Sequence, residues 1–167
     1  RGLNVVNLEG SGEPTLNRNL PEYIKIVKKY GAKAFMFSNG YRMQGDFMKE
    51  CVDAGADFYR FSIIGYDTET YRKWMASDNF DVVVENAYRM QKYVEEVKSE
   101  CTVASYHLIL DNNNIDYELE KYKSLVECMG IKTEIWKMHN WSGVYDVNYK
   151  REGKVKTCGR PFSPDLV

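Results

Sequence analysis

The chain has 167 residues, with 23 Lys and Arg against 24 Asp and Glu and a formal charge of -1. That length fits one domain of ordinary size, and the balance of charge builds in no global attraction to nucleic acid or anionic lipid. At 44% hydrophobic and 28% charged residues, the composition excludes a disordered chain and supports a sizeable core.

The first predicted element is a strand over residues 3–8, Leu-Asn-Val-Val-Asn-Leu. Pro21 then opens a helix whose Ile24, Val27 and Tyr30 keep helical spacing as far as Gly31. Residues 34–37, Ala-Phe-Met-Phe, read as a buried strand, and Phe47, Met48, Cys51 and Val52 form the stripe of a short helix ended by Gly55. A third strand is expected over residues 58–64 and a short helix over 68–75. A long amphipathic helix follows, marked by Val83, Ala87, Met90, Val94 and Val97. Residues 102–110 give a fourth strand. Ile115, Leu119, Tyr122 and Val126 give a helix ending at Gly130, and residues 131–138 give a fifth strand.

Strands alternating with helices imply crossover connections and a parallel sheet, so the class is α/β. Five visible strands exclude a closed eight-stranded barrel and predict a partial (β/α) barrel with five parallel strands and outer helices over residues 1–141. Residues 142–167 lack periodicity and read as a carboxyl-terminal extension. No apolar run approaches the ~18–20 residues of a membrane span, and the first residues carry no secretory signal pattern, so a cytoplasmic protein is expected. Cys51, Cys101, Cys128 and Cys158 lie too far apart for a zinc or redox motif, and the first three are expected to be reduced core thiols.

In parallel α/β sheets ligands bind at the carboxyl ends of the strands, and these ends are polar here. The first ends in Glu9-Gly10-Ser11-Gly12-Glu13-Pro14 and the second in Ser38-Asn39-Gly40. The third ends near Ser62 and in Gly65-Tyr66-Asp67, the fourth in Asp111-Asn112-Asn113 and the fifth in His139-Asn140-Trp141. Two glycines at alternate positions let the backbone approach a ligand closely, and Glu13, stiffened by Pro14, offers a carboxylate to a cation or amine.

The segment Asn7-Leu8-Glu9-Gly10-Ser11-Gly12-Glu13-Pro14-Thr15-Leu16 resembles the Gly-Gly-Glu-Pro segment of the radical S-adenosylmethionine family, with Ser11 in place of the first glycine. Ser38-Asn39-Gly40, Phe61-Ser62-Ile63-Ile64-Gly65 with Thr68-Glu69-Thr70-Tyr71, His139-Asn140-Trp141-Ser142-Gly143 and Cys158-Gly159-Arg160-Pro161-Phe162 resemble further family landmarks, in the family's order. The resemblance implies that Gly12 and Glu13 hold the methionyl amine of S-adenosylmethionine, with Ser11 and Pro14 shaping the turn. It implies that Ser38, Asn39 and Ser62 contact the methionyl carboxylate or ribose. It also implies a [4Fe-4S] cluster in the parent protein, yet the family's Cys-x3-Cys-x2-Cys motif is nowhere in this sequence. The chain therefore reads as a fragment that is inactive alone. The alternative is a degenerate, cluster-free barrel that serves as a binding module.

Cys158 stands where relatives of the SPASM or twitch type open an auxiliary cluster region, which makes it the one candidate metal ligand and points toward peptide or protein substrates. His139 and Asn140, beside Trp141, are expected at the rim of the fifth strand as further cofactor-binding residues. His107, by its alternation with Val103, Ser105 and Ile109, is expected on the barrel's inner face as a hydrogen-bonded interior histidine. Tyr23, Tyr30 and Tyr122 read as packing residues, so base stacking on nucleic acid is not expected.

Overall fold

The computed structural model describes residues 4–110 and 113–137. Its elements run in chain order as β1 (Val5–Asn7), a 3-10 turn (Pro14–Leu16), α1 (Leu20–Lys29), β2 (Lys33–Ser38), α2 (Gly45–Asp53), β3 (Phe58–Ser62), α3 (Thr68–Met75), α4 (Phe80–Glu96), β4 (Thr102–Ile109), α5 (Ile115–Met129) and β5 (Lys132–Lys137). Every predicted strand and helix is present. The five strands form one sheet in the order β1-β2-β3-β4-β5, and all four pairings are parallel. Strand order follows chain order without reversal, as in a barrel wall, whereas a doubly wound sheet reverses at a switch point.

The two faces of the sheet differ, as strand alternation dictates. On β2, Ala34 and Met36 are buried while Phe35 and Phe37 are half-buried; on β3, Tyr59 and Phe61 are buried and Ser62 is half-buried. The buried set packs with Ile24 and Val27 of α1, Cys51 and Val52 of α2, Val83, Ala87, Met90 and Val94 of α4, and Tyr122 and Val126 of α5. This is the core between sheet and helices. The other, inner face carries Phe35, Phe37, Phe58, Arg60 and Tyr106, which no described helix covers.

Several expectations change at the level of single residues. His107 lies on the helix side of β4, not on the inner face: its ring stacks on Tyr122 of α5 at 4.3 Å between centroids, and it is fully buried. The alternation Val103, Ser105, His107 identified one face correctly but did not reveal which way that face points. Cys51 and Cys101 are buried as expected, but Cys128 is exposed, because on α5 it falls between Val126 and Met129 on the side turned from the sheet. Tyr23 and Tyr30 are exposed, as is Val97 at the end of α4, so of the three tyrosines read as packing residues only Tyr122 packs. Of the basic residues near the end of α1, Lys28 bridges α1 to Asp57 ahead of β3 at 2.7 Å. The proposed boundary at residue 141, the extension beyond it, His139, Asn140, Trp141 and Cys158 lie outside the described residues.

Candidate active-site cavity at the strand ends

The turn after β1 is built around Glu13. Its Oε1 accepts hydrogen bonds from the backbone N–H of Thr15 at 2.9 Å, the Thr15 hydroxyl at 2.6 Å and the Ser38 hydroxyl at 2.6 Å. Its Oε2 accepts from the backbone N–H of Asn39 at 2.7 Å. A carboxylate with several charge-assisted donors is a strong anchor, and this one ties the first strand end to the second. Pro14 occupies the first position of the 3-10 turn, where its missing N–H costs nothing. Ser38 Oγ in turn accepts from the N–H of Gly40 at 2.9 Å. Gly40 has φ +74, and a side chain there would collide with the Phe61 ring, so only glycine fits.

Around this turn lies a cavity of about 370 Å3, lined by Glu9, Gly10, Gly12, Glu13, Pro14, Phe37, Ser38, Asn39, Arg60, Ser62, Tyr106 and Trp136. Its size falls within the roughly 300–1,000 Å3 of small-molecule sites. It gathers Gly12, Glu13, Pro14, Ser38, Asn39 and Ser62, six of the sequence-predicted residues, from β1, β2 and β3. Ser11 sits in the same turn without lining the cavity. A Cβ built on Gly10 or Gly12 meets nothing within 4 Å, so the backbone there lies open to whatever fills the space. Ser62, half-buried at the end of β3, lines the cavity, and its hydroxyl makes no hydrogen bond among the described residues. Glu9, at the mouth, is held above the ordinary carboxyl pKa by desolvation, with the Arg60 charge pulling the other way.

The loop that carries Ser62 onward is fixed from below. Gly65 N–H donates to His107 Nδ1 at 3.3 Å, which assigns the proton to Nε2, and Nε2 donates to Glu118 Oε1 at 2.5 Å. The same Glu118 oxygen accepts from the N–H of Leu110 at 2.7 Å. His107 is thus the hydrogen-bonded interior histidine that was expected, and it connects the third rim loop, the end of β4 and α5.

Sequence reasoning missed the inner-face residues. The Arg60 guanidinium lies 3.6 Å from the Phe37 ring centroid, 4.5 Å from Trp136 and 5.1 Å from Tyr106, and its Nη1 donates to Glu134 at 2.8 Å. Arg60 is two residues from Ser62 on one strand, and a period of two predicted their shared face. Tyr106 and Glu134 join it through register, since Ser62 pairs with Tyr106 and Tyr106 with Glu134, and register is not written in any one strand.

The radical SAM superfamily model matches residues 3–122. The chain belongs to the radical SAM superfamily. It is 31% identical over 102 residues to "Probable GTP 3',8-cyclase" of Thermococcus kodakarensis, covering 61% of this chain and 33% of that protein. It is 36% identical over 85 residues to the protein of the same name from Saccharolobus islandicus, covering 50% and 27%. The chain therefore spans about a third or less of the length of these relatives. Among solved structures, TYW1 with a lysine-pyruvate adduct bound superposes with TM-score 0.63 at 22% identity, over 81% of this chain and 42% of that one. Streptococcus suis SuiB bound to precursor peptide SuiA gives 0.60 at 14% identity, over 89% and 31%. These two likenesses speak to the fold.

Members of the superfamily use S-adenosylmethionine and a [4Fe-4S] cluster. The cavity fits the first: open glycine backbone, an unengaged serine hydroxyl and carboxylates suit a molecule with an ammonium, a sulfonium and ribose hydroxyls. The residues present do not fit the second, because no group of three His, Cys, Asp or Glu among the described residues could hold a metal ion. No described helix is long and apolar enough to cross a membrane.

Proposed function

We propose that this chain is the S-adenosylmethionine-holding part of a radical SAM enzyme whose primary cluster ligands lie outside this sequence. The observation that carries the reading is the single cavity that joins the Gly12-Glu13-Pro14 turn, Ser38, Asn39 and Ser62. When bound and reduced in such an enzyme, S-adenosylmethionine supplies a carbon radical for hydrogen abstraction. What this chain does is bind and orient. The backbone at Gly10 and Gly12 receives the methionyl end, and Glu13 holds the turn in shape through its four donors, with Oε2 retaining room for the ammonium. Ser62 donates to a carboxylate or hydroxyl oxygen. Pro14, Ser38 and Asn39 set the contour of the site and Ser11 the turn beside it, and the family resemblance adds His139 and Asn140 as cofactor contacts and Cys158 as a ligand of an auxiliary cluster. A peptide or protein substrate accords with the SuiB likeness, and a guanine nucleotide with the relatives' names.

The test is titration of S-adenosylmethionine into the full-length protein by calorimetry, beside release of 5′-deoxyadenosine after anaerobic loading. Ser62→Ala should weaken binding by about 1 kcal/mol, roughly fivefold, through loss of one hydrogen bond. The full-length protein should release 5′-deoxyadenosine, and the 167-residue chain alone should not. Full-length protein that binds S-adenosylmethionine but never cleaves it would establish the cluster-free binding module instead.

A further inference from the structure

Among the described residues, Arg60 is the only positive charge lining the cavity. Phe37, Tyr106 and Trp136 surround its guanidinium at 3.6, 5.1 and 4.5 Å from their ring centroids, and polar partners must come to its N–H groups between these rings. One edge is in use, Nη1 to Glu134. On the other, Nε is buried and has no partner among the described residues, in keeping with the 9% exposure of Arg60 as a whole. A buried charged donor without an acceptor is costly, and beside a cavity it points to an acceptor that the described residues do not supply. The existing partner is also the looser one: the Glu134 side chain is 36% exposed against 11% for Arg60, so the carboxylate can turn to water while the guanidinium stays in its cage. Tyr106 and Trp136 form a tilted ring pair at 5.3 Å, with Trp136 38% exposed on the open side of the sheet.

We propose that Arg60 is a substrate-contacting specificity residue that takes a carboxylate or phosphate of the substrate through its fork of donors, the substrate's apolar part lying on Trp136 and Glu134 being the group displaced. This concerns the inner face below the rim and goes beyond the S-adenosylmethionine reading. Exchange of one oxyanion for another keeps the guanidinium paired, and the fork geometry of arginine matches two coplanar oxygens. A neutral amide offers one acceptor oxygen and cannot replace Glu134 on equal terms. Of the other carboxylates, Glu13 is engaged by four donors, and Glu9 feels the Arg60 charge but forms no ion pair with it among the described residues.

The experiment titrates benzoate, phenyl phosphate and benzamide into the full-length protein without S-adenosylmethionine, read by tryptophan fluorescence and by ligand-detected NMR. Benzoate or phenyl phosphate should bind and benzamide should not, and the tighter of the two anions names the kind of oxyanion. Arg60→Gln should weaken the preferred anion at least ~tenfold and Arg60→Lys at least ~fivefold, since lysine keeps the charge but not the fork. Glu134→Gln should tighten it, because the internal competitor is gone. Benzamide binding as tightly as benzoate, an unchanged affinity in Arg60→Gln, or weaker binding in Glu134→Gln would each overturn the proposal. If Arg60→Gln does not fold, the wild-type comparison of probes and Glu134→Gln decide the matter. S-adenosylmethionine is absent from the titration, so failure here leaves the rim reading intact.

Discussion

Glu13 shows how one side chain can fix the architecture of a candidate ligand site. With Thr15, Ser38 and Asn39 all donating to its carboxylate, the glutamate fixes the spacing of the first two strand ends before any ligand arrives. Glu13→Gln replaces one acceptor oxygen with an NH2 group, so it either loses the Asn39 bond or faces the two hydroxyls and the Thr15 N–H with a donor. The expected cost is about 1–3 kcal/mol of stability, that of stranding part-buried donors, together with weaker S-adenosylmethionine binding. Urea denaturation and calorimetry on the same variant measure both. A loss of affinity with stability unchanged would mean that Glu13 acts on the ligand alone. The sequence made Glu13 legible as a carboxylate stiffened by proline, but not that Thr15 of its own turn and Ser38 and Asn39 of the second strand end would together claim both oxygens. That depends on how close Ser38, 25 residues away, comes in space.

At the scale of elements, the alternation of strand and helix carried the fold, because period two and period 3.6 are local properties that each segment displays alone. What it could not carry was the orientation of a face. Val103, Ser105 and His107 alternate correctly, yet only the packing of α5, through Tyr122 and Glu118, turns them toward the helices. The buried Glu118 escaped notice for the same reason, since an acidic residue early in a helix reads as solvated. The loop from β3 to α3 tests the local side of this picture. Asp67 caps α3, accepting from Thr70 N and Thr70 Oγ1 at 2.8 Å each, while Gly65 has φ +133 and a Cβ there would sit 2.5 Å from the Tyr71 backbone nitrogen. Asp67→Ala should cost about 1 kcal/mol, the usual loss for an N-cap. Gly65→Ala should cost more, about 3 kcal/mol or beyond, because strain at positive φ adds to a clash with backbone that cannot step aside. Thermal or urea unfolding of the two variants checks the order, and equal losses would show that the loop, not the helix start, absorbs the change.

For the molecule as a whole, the layer between sheet and helices sets how stability responds to alkali. Burial pushes the Cys51 and Cys101 thiols up to about 12 from 9.0, and it raises Tyr59, Tyr71 and Tyr122 above the usual phenol range. Below pH 9 these groups hold their protons in both the folded and the unfolded chain and have no effect on the pH dependence. Between about 9 and about 12 the unfolded chain has released the two thiol protons that the folded chain retains, so the unfolded state binds fewer protons and stability falls as pH rises. Each thiol contributes about 1.4 kcal/mol per pH unit in that window, and the tyrosines add to the slope above pH 10. Urea midpoints of the full-length protein, kept reduced, should therefore be flat from pH 7 to 8.5 and fall steadily from 9.5 to 11. The double variant Cys51→Ala, Cys101→Ala should start lower, from the changed packing, but fall less steeply, since two of the groups that drive the slope are gone. Parallel slopes in the two proteins would mean that the thiols ionise as easily folded as unfolded, and that solvent reaches the space between β3, α2 and α4.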